Sequence, residues 1–117
     1  MTRFPRGVYG RGDEPDPRFS LANERTFLAW IRTGLALFAA GVALHALEVP
    51  EHAGLRLAAA LVFIGLGLVA TVQAWAGWWR TESAMRLGQP LPGTSPGLVL
   101  TVGVVAGVAL VLLGLSW

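Results

Sequence analysis

GLVLTVGVVAGVALVLLGLSW, residues 97–117, is a run of 21 residues without one ionisable side chain. At about 1.5 Å per residue, a helix of that length crosses the ~30 Å hydrocarbon core of a bilayer. Lipid offers no water to satisfy backbone N–H and C=O groups, so a crossing segment must be a helix or part of a closed barrel. No alternating strand pattern occurs in the chain. This stretch therefore predicts a transmembrane helix, and it sets the standard for reading the rest.

Working back from it, two more apolar stretches reach the same length, at about residues 27–47 and 57–79. Composition agrees with three spans. The chain of 117 residues is 54% hydrophobic and 14% charged, with a mean hydropathy of +0.57. A soluble domain is closer to one-quarter charged, and this chain lacks the polar surface to cover itself. The fold class expected is all-α, a three-helix multi-pass membrane protein, with the lipid bilayer as its first partner. Cysteine is absent, which excludes disulfide frameworks, iron–sulfur clusters and thiol catalysis.

All nine cationic residues are arginine. Arg3, Arg6, Arg11, Arg18 and Arg25 precede the first span, and Arg80 and Arg86 follow the second. The intervening turn carries Glu48, Glu51 and His52, with Arg56 alone against them. The positive-inside rule then predicts a cytoplasmic N-terminus and an outside C-terminus. The same distribution explains the pI near 10.5 without nucleic acid, which is not an expected partner. Trp30, Trp78 and Trp79 are expected as an aromatic belt at the cytoplasmic boundary. No cleavable signal peptide is legible.

The flanks read as follows. Residues 1–15, rich in Gly, Pro and charge, are expected as a flexible cytoplasmic tail ahead of a membrane domain over 16–117. Asp16-Pro17 is a capped helix start, and Ser95-Pro96 repeats it after a loop at Gly88–Ser95. Pro50 breaks the outer turn.

Chemistry is concentrated between Ser20 and Thr33. Seven residues turn a helix by about 700°, so Arg18, Arg25 and Arg32 fall on one stripe. Arg32 lies about five residues, or ~8 Å, inside the span that begins near Phe27. A charge at that depth calls for a partner, and Gln73, at a similar depth on the second helix, is the candidate. Glu24 has no basic residue at i+4 and is expected to pair with an arginine of another helix or another copy. Arg18, Arg25 and Arg32 also have a plain reading as topology determinants and headgroup anchors. Ala29, Thr33, Ala36, Ala40 and Ala43 form a small-residue seam on the first helix, and Gly103 and Gly107 form a GxxxG on the third. His45, Glu48 and His52 include metal-type ligands, but Pro50 interrupts their spacing, and no metal or cofactor is expected.

The run Asn23-Glu24-Arg25-Thr26-Phe27-Leu28-Ala29-Trp30-Ile31-Arg32-Thr33 resembles the signature of the YidH-like membrane family, the domain of unknown function numbered 202. The resemblance extends over nearly residues 16–117. It implies three spans and, for bacterial members, no established activity. The family also includes the small membrane subunit of the eukaryotic vacuolar transporter chaperone complex, which passes polyphosphate across a membrane along a basic path. By resemblance Arg18 and Arg25 match basic positions of that subunit's first helix, and Arg80 matches one at the end of its second. Arg32 departs from the eukaryotic pattern, and no polymerase domain is present, so the resemblance implies anion handling and not synthesis. Residues and resemblance together predict a non-enzymatic, self-associating membrane subunit with an anion-attracting arginine face. The alternative is a scaffold or accessory subunit that conducts nothing.

The absence of native cysteine makes the orientation directly testable. In spheroplasts, Glu51→Cys is expected to react with a membrane-impermeant maleimide, whereas Gln89→Cys reacts only after the membrane is opened. The reverse pattern would invert the topology.

Overall fold

The computed structural model describes residues 3–91 and 95–116. Residues 92–94 of the expected loop, the side chains of Ser95 and Pro96, and Trp117 lie outside the described residues. Four helices follow one another: α1 (Arg6–Tyr9), α2 (Pro17–Ala46), α3 (Ala53–Leu87) and α4 (Ser95–Leu115). No strand occurs among the described residues. The last three are long and apolar enough to span a membrane.

Helix boundaries follow from local chemistry. Asp16 caps α2, its carboxylate accepting the Arg18 backbone N–H at 2.9 Å, with Pro17 in the first turn, where a missing N–H costs nothing. The Arg18 guanidinium also donates to Asp16 Oδ2 at 2.8 Å. That contact lowers the Asp16 pKa below the usual carboxylate range and raises that of Arg18. At the opposite end of the bundle, His52 caps α3, its Nδ1 accepting the Leu55 N–H at 3.2 Å. α3 stops at Gly88, whose left-handed φ of 67° suits a residue without Cβ.

Length separates the helices into two kinds. α4, with 21 residues, matches the bilayer core. α2 and α3 have 30 and 35 residues, or about 45 and 52 Å. They run antiparallel, and their surplus lengths project together beyond the spans as one helical hairpin stem at the arginine-rich end.

α3 is the centre of the molecule. α2 packs on one flank of it and α4 on another, and no Cα of α2 comes within 8 Å of one of α4 among the described residues. The α2 seam is Ser20, Asn23, Phe27, Trp30, Gly34, Leu37, Gly41 and Leu44, all buried or half-buried, in alternating steps of three and four. Its closest approaches use glycine. A Cβ on Gly34 would lie 3.2 Å from the Gly67 carbonyl oxygen, and one on Gly67 would lie 3.0 Å from that of Gly34. Gly41 meets the Ala60 carbonyl in the same way, at 2.9 Å. On the α4 side the glycines receive side chains: Gly103 faces Leu66, Gly107 faces Phe63, and Gly114 faces Pro50 and Leu55. The Gly103/Gly107 pair therefore packs within the chain.

The small-residue seam expected on the first helix does not face α3. Ala29, Thr33, Ala36 and Ala43 are exposed and Ala40 is half-buried. The seam that does face α3 has the same period but lies one residue, or about 100°, around the helix. Glycine allows closer backbone contact than alanine, while Trp30, Leu37 and Leu44 fill the spaces between glycines. Trp30 and Trp78 likewise differ from a lipid-facing belt. Trp78 is buried, and Trp30 packs against the core of Leu37, Phe63, Leu66 and Ala70.

This geometry sets a stability test. Gly67→Leu is expected to lower the stability of the detergent-solubilised protein by about 1–3 kcal/mol through overpacking. Gly65→Leu, where a Cβ meets nothing within 4 Å, is expected to leave it unchanged. Thermal unfolding followed by circular dichroism reads the difference.

Candidate functional site

The arginine-rich end is organised by Arg86, a residue whose expected role was topology alone. Its side chain is 5% exposed. Nε donates to the Arg11 carbonyl at 2.9 Å, Nη2 to the Tyr9 carbonyl at 3.0 Å, and Nη1 to Glu14 Oε1 at 3.1 Å. A planar guanidinium with its donors in a fixed fork suits such divergent acceptors. The Arg86 carbonyl in turn accepts the Asp13 N–H at 3.0 Å. Gly12 makes this approach possible: its φ is +56°, and a Cβ there would collide with the Arg86 carbonyl oxygen. Arg3 pairs with Glu14 and stacks on the Tyr9 ring, 4.2 Å from its centroid.

Residues 3–15, expected as a flexible tail, are thus folded back along α3. Val8 is fully buried. Gly7 lies against the indole of Trp79, close enough that a Cβ would overlap it. The physical reason is that α3 continues as a helix to Leu87, which presents Arg86 and the Trp78/Trp79 surface to the incoming segment. Composition alone carried no sign of that surface.

Deeper in the stem, the polar residues of the α2 seam find partners on α3. Ser20 Oγ donates to Glu82 Oε2 at 3.0 Å, and Glu82 is 3% exposed. Asn23 Nδ2 donates to the Trp78 carbonyl at 3.1 Å. Asn23 therefore joins the helices, Phe27 and Trp30 follow it on the same half-buried seam, and Thr26 Oγ1 donates back to the Ala22 carbonyl. Ser20 and Glu82 were not foreseen as a pair. The signal available was Ser20's place on the three–four repeat that contains Asn23.

The arginine stripe points the other way. Arg18, Arg25 and Arg32 are all exposed, and their stripe lies about 170° around α2 from the centre of the α3-facing seam. Arg18 is held by Asp16. Arg25, Arg32 and Glu24 make no ion pair or hydrogen bond among the described residues. Gln73, expected beside Arg32, instead accepts from Arg80 Nη2 at 3.1 Å. Seven residues apart, Gln73 and Arg80 share a stripe of α3, whereas Arg32 faces away from that helix. Glu24 sits at the edge of an aromatic cavity with Phe27 and Trp78. At the opposite end, among the described residues no group of three His, Asp or Glu side chains is arranged to hold a metal.

Three spanning helices, with a polar stem built around Asn23 and a one-sided arginine stripe, define a multi-pass integral membrane protein. The chain belongs to the DUF202 family: the family described as "Domain of unknown function (DUF202)" matches residues 18–84, the α2–α3 pair. It is 45% identical over 107 residues to inner membrane protein YidH of Escherichia coli (strain K12), covering 89% of this chain and 90% of that one. The same figures hold for inner membrane protein YidH of Shigella flexneri. An uncharacterized protein of Mycobacterium tuberculosis (strain ATCC 25618 / H37Rv) is 46% identical over 100 residues, covering 80% of this chain and 81% of that one. No solved structure matches at a significant level. With the three spans, these relationships make the chain an inner membrane protein.

Removing the Arg86 guanidinium should release the folded-back segment. Each charge-assisted hydrogen bond contributes about 1.5–3 kcal/mol, so Arg86→Ala is expected to speed amide exchange over residues 8–13 by roughly tenfold or more. Glu14→Gln, which leaves the two carbonyl contacts intact, is expected to have a smaller effect.

Proposed function

We propose that the protein is a non-enzymatic membrane subunit that associates with further copies of itself through the outer face of α2, with the arginine-rich end in the cytoplasm. One observation carries this reading. Arg25 and Arg32 lie on the face of α2 opposite α3 without an ion partner among the described residues, and Arg32 stands ~8 Å inside the span. A charge at that depth is costly against lipid and favourable against a polar or charged neighbour. Beside the arginine stripe run Ala29, Ala36 and Ala43, exposed and unused within the chain. Small side chains there allow a second helix to approach closely enough for van der Waals contact.

In such an assembly the arginines attract anions at the cytoplasmic side of the interface. Arg18, Arg25 and Arg32 recur at about 10.5 Å intervals along the helix, a ladder running from beyond the membrane into it. This favours a second reading, in which the shared face lines an anion path. Charged rings at a pore mouth raise the local concentration of the permeant ion. The resemblance to a polyphosphate-passing subunit is consistent with that class of ligand.

Native mass spectrometry from detergent or nanodiscs tests association. The wild type is expected as an oligomer, and Ala36→Leu with Ala43→Leu is expected to disperse it while helical content stays constant. A monomeric wild type would refute the reading. Anion efflux from liposomes separates the two versions: conduction predicts a flux that drops in Arg25→Ala and Arg32→Ala, and an oligomer without flux is a scaffold.

A further inference from the structure

The folded-back N-terminal segment builds a cavity that neither α2 nor α3 has alone. Phe4 and Tyr9 from that segment, Glu24 and Phe27 from α2, and Trp75 and Trp78 from α3 line a space of about 220 Å³. Trp75 and Trp78 stack with centroids 5.4 Å apart, and Tyr9 is tilted at 56° against Trp78, 6.0 Å away. The rings therefore form one contiguous aromatic wall along an open-sided space. Phe4 is 84% exposed, an apolar side chain held out beside the opening.

We propose that this cavity is a binding site for an organic ammonium group. Aromatic faces carry negative potential and attract cations, most strongly when several rings surround a quaternary or substituted ammonium. The Tyr9 ring is already engaged in this way, the Arg3 and Arg86 guanidinium carbons lying 4.2 and 5.3 Å from its centroid, which leaves Phe27, Trp75 and Trp78 as the rings for a ligand. Charge is the second argument. Around Tyr9 the cations Arg3 and Arg86 are matched by the carboxylates of Glu14, which pairs with both, and buried Glu82. Glu24 adds a further carboxylate at the cavity that has no ion partner among the described residues. Rings together with an unmatched carboxylate select a cation with an apolar surface over a metal ion, which would require several oxygen ligands. Phe27 and Trp78 stand where the spans meet the stem, the depth of lipid headgroups. The ammonium can therefore belong to a lipid headgroup or to a free amine, and the site chemistry is the same for both.

The proposal is independent of self-association, and one experiment keeps them apart. Full-length protein is placed in nanodiscs of phosphatidylglycerol alone, and tryptophan fluorescence is titrated with choline, ethanolamine and 3,3-dimethyl-1-butanol, the uncharged isostere of choline. A saturable response to an ammonium but not to the isostere is expected. Glu24→Gln is expected to weaken it at least tenfold, and Trp75→Leu to do the same, both with unchanged native mass. Discs containing phosphatidylethanolamine or phosphatidylcholine identify the source: loss of the choline response means a headgroup occupies the site, and its retention means a free amine does. Equal responses to choline and its isostere would overturn the proposal in favour of a plain apolar cavity. So would an unchanged affinity in Glu24→Gln, or its dissociation of the oligomer, which would make Glu24 a contact between copies.

Discussion

The close approach of Gly34 and Gly67, each backbone carbonyl only 3.0–3.2 Å from where the other residue's Cβ would stand, is the constraint on which the remainder depends. In lipid there is no hydrophobic drive to bring two apolar helices together, so van der Waals contact must supply it. Two glycines provide that contact at backbone distance and set the rotation of α2 about its axis. Once that rotation is set, Asn23 reaches the Trp78 carbonyl and Ser20 reaches Glu82 further along the seam. By the same rotation the arginine stripe is turned away from α3.

α3 carries the cost of being central. It packs α2 on one flank and α4 on another, and its extension past the membrane also receives the N-terminal segment. Arg86 is a charged residue of that extension almost fully withdrawn from solvent, and three acceptors on the folded-back chain satisfy it. A buried guanidinium without such acceptors would be strongly destabilising, so helix extension and segment docking stabilise each other. The result is an ordered polar cap over the end of a membrane hairpin, with an aromatic cavity at its base.

Reading the chain as sequence recovers some features well. An uncharged 21-residue run, two further apolar stretches and the Asp16-Pro17 cap are local properties, and α2 and α4 begin and end close to where these place them, whereas α3 runs on past Trp79 to Leu87. The Arg18/Arg25/Arg32 stripe is local too, because seven residues return to the same side of any helix. The small-residue seam was harder. Ala29, Thr33, Ala36, Ala40 and Ala43 repeat with the same steps as Trp30, Gly34, Leu37, Gly41 and Leu44, and periodicity cannot choose between two stripes offset by one residue. The partner for Gln73 failed for a related reason: matched depth says nothing of azimuth, and Arg32 faces away from the helix that carries Gln73.

By itself, then, the sequence determined that this is a three-span helical membrane protein with a cationic end and an arginine stripe along its first spanning helix. Those features depend on hydrophobic length, capping and a fixed helical repeat, all of which operate within a few turns of chain. Only the tertiary structure decided which stripe of α2 meets α3, that Arg86 holds residues 3–15 in place, and that Glu24 borders an aromatic cavity. Each of these depends on the shape and hydrogen-bonding groups of a second segment. Residues as far apart as Tyr9 and Arg86 come together only when α3 runs on beyond the membrane to receive the N-terminus.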